Sequence, residues 1–84
     1  MIKFNKYHVT NGTEKARVFY SKTTRTDGRE AVTLYAKDYS GALGRIFAAE
    51  YQNDTDSMTD YFDQGRVVLF ADHPLYAQAL ERAK

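Results

Sequence analysis

The spacing of apolar residues changes several times along the chain, and each change marks an element. Apolar residues recur at short intervals within Ile2–Thr10, Lys15–Thr24 and Ala31–Lys37, with turn residues between them. Alternation of this kind predicts strands. Asn11-Gly12 and Asp27-Gly28 separate these runs, and both pairs suit two-residue hairpin turns. The first half therefore predicts a three-stranded antiparallel meander.

After Asp38 the period lengthens. Ser40 can cap a helix with Leu43, Ile46, Phe47 and Tyr51 on one stripe. Asn53–Asp56 reads as an acidic loop, Ser57–Asp63 as a strand and Gln64-Gly65 as a turn. Arg66-Val67-Val68-Leu69-Phe70 reads as an apolar strand. Asp72-His73-Pro74 then opens a second helix, with Asp72 as its cap, Pro74 in its first turn, and Leu75, Ala79, Leu80 and Ala83 turned inward. The predicted fold class is α+β: a mainly antiparallel sheet in the order β-β-β-α-β-β-α, with both helices on one face.

Two-residue turns would also fix the register, placing Phe4 opposite Phe19 and Phe19 opposite Ala36. Ile2, Phe4, Phe19, Val32, Leu34 and Ala36 would then share the face under the helices. Tyr7, Val9, Val18, Tyr20, Thr33 and Tyr35 would share the other. Turns longer by one residue exchange the faces, because side chains alternate with period two.

The chain has 84 residues, enough for a single domain spanning residues 1–84 and too few for two. A domain this small buries only about 60–65% of its unfolded surface, so its stability margin is narrow. With no cysteine, it has neither a disulfide nor a thiolate nucleophile; this suits a reducing, cytoplasmic setting. No apolar run has the length of a membrane span, so no membrane partner is expected. The net charge of +1 hides a split. Residues 1–45 carry nine Lys/Arg against four Asp/Glu, whereas residues 46–84 carry three against seven. Such a split can steer partners, or the two halves can simply neutralise each other in the fold.

Candidate chemistry is sparse. The two histidines, His8 and His73, lie far apart, and neither has a triad-like neighbour in sequence. His73 fits a helix start and His8 a strand surface. Gly41-Ala42-Leu43-Gly44-Arg45 lacks the lysine of a phosphate loop. Asp54–Asp60 alternates acids as a calcium loop does, but Met58 occupies a ligand position, Thr59 replaces the required glycine, and Gly65 replaces the bidentate acid. The sequence thus predicts no enzyme, no catalytic residue, no metal and no cofactor.

Two surfaces remain as binding candidates. One is aromatic and basic: Tyr7, Tyr20 and Tyr35 on an open sheet face, with Arg17, Lys22, Arg25 and Arg29, and also Lys15, around the second strand. Rings interleaved with cations can stack bases and track phosphates, so this face suits a nucleic-acid-binding accessory module. The same residues also suit a protein-binding face or ordinary sheet packing. The other surface is acidic. Asp54, Asp56, Asp60 and Asp63, with Glu50 and Asp72 on either side, can dock on a cationic site or simply keep the surface solvated. An open sheet edge or the tyrosine face would also permit a homodimer.

Several segments carry a resemblance: Gly28-Arg29-Glu30-Ala31-Val32-Thr33-Leu34-Tyr35-Ala36-Lys37, then Tyr51-Gln52-Asn53-Asp54-Thr55-Asp56-Ser57-Met58-Thr59-Asp60-Tyr61-Phe62, then Gly65-Arg66-Val67 and Asp72-His73-Pro74-Leu75-Tyr76. Over most of its length the chain resembles small proteins of bacterial phages and plasmids. The resemblance implies a mobile-element setting. By analogy it also implies a non-enzymatic inhibitor of a host defence complex, of the anti-CRISPR type, whose partner is a host protein or nucleoprotein complex.

Overall fold

A computed structural model describes residues 1–38, 41–51 and 65–84. It shows a small α+β domain: a curled, antiparallel five-stranded sheet and two helices. The strands are β1 (Lys3–Phe4), β2 (His8–Thr10), β3 (Lys15–Thr24), β4 (Glu30–Ala36) and β5 (Arg66–Phe70); the helices are α1 (Ala42–Tyr51) and α2 (Tyr76–Ala83). The strands lie side by side in chain order. The strand predicted at Ser57–Asp63 lies outside the described residues.

The first departure from expectation is at the N-terminus. The predicted strand Ile2–Thr10 folds back on itself, pairing Phe4 with Val9 and Lys3 with Thr10. Asn5 N–H donates to His8 O at 2.8 Å, which leaves Lys6 and Tyr7 at the tip. Asparagine is favoured at the first position of such a turn, and Asn5 is the one local signal for it. The reversal moves Phe4 onto the same face as Val9.

The second departure is in the two hairpins. Among the described residues no non-glycine residue has a positive φ, so Asn11 does not serve in a type I′ turn. Gly12 instead takes the first central position, with φ +93°, and Thr13 the second. Asn11 Oδ1 accepts from Thr13 N and Glu14 N at 2.9 and 2.8 Å. Thr10 therefore faces Lys15. This shift keeps the alternation of sides, and Val9 and Val18 stay together as expected.

The β3–β4 turn does not keep it. Gly28 N–H donates to Arg25 O at 2.9 Å and Arg25 N–H to Arg29 O at 2.8 Å, closing a three-residue turn over Thr26-Asp27-Gly28. Gly28 supplies the left-handed φ of +87° that such a turn needs. An odd turn exchanges the faces of β3 relative to β4. Val18 now faces Ala36, and Tyr20 faces Leu34. Phe19 faces Tyr35 and is thrown outward, 57% exposed, while Tyr20 is drawn in at 8%.

The main apolar cluster results. Val9, Val18, Val32, Leu34, Val67 and Leu69 of the sheet join Leu43, Ile46 and Phe47 of α1, Ala79 of α2 and Leu75 just before it. The predicted helical stripes are borne out at these positions, with Leu80 and Ala83 partly buried against the cluster. At the start of α2 the expected Asp72 cap is absent. His73 fills the role instead: it is buried, and its Nδ1 accepts from Leu75 N–H at 3.0 Å. Arg45 ties α1 to the β2–β3 turn, its Nε donating to both Glu14 oxygens at 2.9 and 3.2 Å.

Candidate binding surface

The sheet face turned away from the main cluster, here the outer face, is divided. Toward one end Ala31, Thr33, Val68 and Phe70 are buried. Arg25 and Arg29 come from the β3–β4 turn to lie over the Phe70 ring, with guanidinium carbons 5.4 and 3.7 Å from its centroid. A guanidinium on a ring face is attracted by the ring quadrupole. These two arginines are thus engaged with the fold, well apart from Tyr7.

Toward the other end the face is open. Phe19 and Tyr35 are cross-strand partners with ring centroids 6.2 Å apart and planes tilted by 43°. Tyr35 is 37% exposed. Arg17 points the same way one step along β3 and meets Asp38 at 3.8 Å. Lys37 lies opposite Arg17, its N–H donating to Arg17 O at 2.9 Å. Tyr7, 61% exposed at the tip of the first turn, has Lys6 Nζ and Lys37 Nζ at 5.4 and 5.7 Å from its ring centroid.

The tyrosines expected to share one face do not. Tyr7 and Tyr35 are exposed, but Tyr20 belongs to the core. Its hydroxyl donates to Asn5 O at 2.7 Å and also lies 3.2 Å from His8 O, fastening the first turn to β3. Burial disfavours the phenolate and pushes this hydroxyl up to about 12, with the nearby Arg82 charge pulling weakly the other way. Lys22 faces Val32 on the core side at the exposed end of β3. The acidic candidates Asp54, Asp56, Asp60 and Asp63 lie outside the described residues.

A cleft adjoins the open rings. The β2–β3 ladder ends at the bond from Val18 N–H to Tyr7 O, 3.0 Å. Past that point a cleft of about 260 Å³ opens between the β3 edge and the end of α2. It is lined by Lys6, Lys37, Arg82 and Lys84 and by Tyr7, Phe19 and Tyr20, with no acidic side chain among the described residues of its lining. Arg82 Nε is held there by Phe4 O at 3.1 Å.

Reasoning from sequence missed Phe19, which it assigned to the core, and all four cations of the cleft. For Lys37 a signal existed, since it continues the outward alternation of Tyr35. For Arg82 and Lys84 none did, because only the docking of α2 brings them to the first turn. Among the described residues no three His, Cys, Asp or Glu side chains are placed to hold a metal ion, and no helix is long and apolar enough to cross a membrane. No family model, no curated protein and no solved structure matches the chain.

Proposed function

We propose that the protein is a non-enzymatic binding protein of a phage or plasmid that inhibits a host defence complex by docking on it, in the manner of anti-CRISPR proteins. The exposed Phe19–Tyr35 pair, bordered by Arg17 and Lys37, carries this reading. Large rings and arginine are the residues that anchor interfaces, and a small domain with a narrow stability margin gains nothing in its own core from exposing them. In this reading both helices back the sheet on one side and leave the outer face to the partner. The resemblance to phage and plasmid proteins supplies the setting. The acidic residues Asp54, Asp56, Asp60 and Asp63 are a second contact surface in the same proposal.

The test is a phage-plating or nuclease-inhibition assay with two variants. Phe19→Ala/Tyr35→Ala should lose inhibition at least about tenfold, the effect of one anchor worth roughly 1.4 kcal/mol. It should do so while still folding cooperatively, the lost cross-strand pair lowering the thermal midpoint by only several degrees. Reversal of Asp54, Asp56 and Asp60 to Lys should have a smaller effect. Full inhibition by both variants would overturn the proposal. Loss only on acid reversal would move the contact to the acidic segment.

A further inference from the structure

Four cations of like sign surround the cleft beside the Phe19–Tyr35 pair: Lys6 and Lys37 at the Tyr7 ring, and Arg82 and Lys84 at the end of α2. Among the described residues, Glu81 at 3.4 Å from Lys84 is the acid paired with this set. Bringing like charges together without matching acids costs free energy, and a bound anion recovers it. The rings set which anion. Phe19 both lines the cleft and pairs across the strands with Tyr35, so an anion held in the cleft lies beside two exposed aromatic rings. Phosphate spaced from a planar base is the chemistry that fits both features. The bases must also be unstacked to reach a sheet face.

We propose that the cleft and the adjoining ring pair form a binding site for single-stranded nucleic acid, with phosphates held among Lys6, Lys37, Arg82 and Lys84 and a base stacked on Phe19 and Tyr35. This deepens the docking function above, on which it rests: the strand contacted is the exposed guide or target strand of a nucleoprotein complex. An acidic protein segment would satisfy the cations but would leave the rings without a planar partner.

The experiment is a fluorescence-anisotropy titration of the intact protein against labelled single-stranded RNA and DNA oligonucleotides, a DNA duplex and a polyglutamate competitor, from about 50 to 200 mM salt. Binding to either single strand, tighter than to the duplex and weakening steeply with salt, is expected. Lys6→Gln/Lys37→Gln/Lys84→Gln removes three exposed charges and should flatten the log–log salt slope by about two, at roughly 0.7 per phosphate contact on a single strand. Phe19→Ala/Tyr35→Ala should weaken binding by about 5- to 150-fold for the one base stacked, with the salt slope retained. No single-strand binding at low salt, equal binding to duplex, equal competition by polyglutamate, or insensitivity to the ring substitutions would overturn the site. The two proposals fail separately. If oligonucleotides do not bind but the ring variant still loses inhibition, the docking function stands and the nucleic-acid site falls. If oligonucleotides bind as expected but the ring variant and the acid-reversal variant both inhibit fully, the docking function falls.

Discussion

Tyr20 joins the ends of the first turn to the central strand through its hydroxyl, and the surrounding burial sets how it titrates. Tyr20→Phe removes the donor to Asn5 O and leaves that carbonyl short of a partner, at a cost of about 1–2 kcal/mol at neutral pH by urea denaturation. The pH dependence has a definite sign. The folded-state value, about 12, lies above the ordinary 10.0. The contribution of this group is therefore complete below about pH 10 and is lost as pH rises through about 12. The stability advantage of the natural protein over Tyr20→Phe should shrink across that interval; an advantage that stays constant to pH 12 would contradict the burial of the hydroxyl. Phe19, one position earlier, faces the opposite way, and its cost when removed should be felt in binding more than in folding.

Among the elements, the β3–β4 turn has the widest consequences. Its odd length decides that Val18 and Tyr20, not Phe19, meet Leu34 and Ala36. Paired substitutions test this directly. Val18→Ser places a hydroxyl in the apolar cluster and removes a fully buried side chain, which should cost about 2–4 kcal/mol. Phe19→Ser at an exposed position should cost less than about 1 kcal/mol. Thermal denaturation that ranked the two in reverse order would restore the two-residue turn. The turn signal itself was legible in Asp27-Gly28, but its length was not. Both the two-residue and the three-residue turn place a glycine at positive φ, and the choice depends on which register buries more apolar surface.

Across the whole molecule the margin is small. A domain of this size is stable by about 4–13 kcal/mol, so single core losses are a large fraction of the total. Phe47 is fully buried on α1, and its ring centroid lies 6.2 Å from that of Phe4. Phe47→Ala should cost about 3–5 kcal/mol and lower the thermal midpoint by roughly 12 °C or more, as read by calorimetry. A shift of only a few degrees would mean that α1 is not held through this residue. The cationic cleft draws on both halves of the sequence by the same packing, since α2 brings Arg82 and Lys84 from the acidic half to Lys6 and Lys37 from the basic half.

Local pattern by itself determined the α+β class, β3, β4 and β5, both helices and their buried stripes. Alternation, helical spacing and turn residues act over a few positions, and the chain states them openly. Tertiary structure alone decided three things. It folded Ile2–Thr10 back on itself, because pairing Phe4 with Val9 buries both where a continuous strand would bury one. It turned Phe19 out and Tyr20 in, because the parity of a turn is settled by the apolar surface that both strands bury. And it assembled the cationic cleft, because residues 6, 37, 82 and 84 meet only when the last helix docks against the first turn.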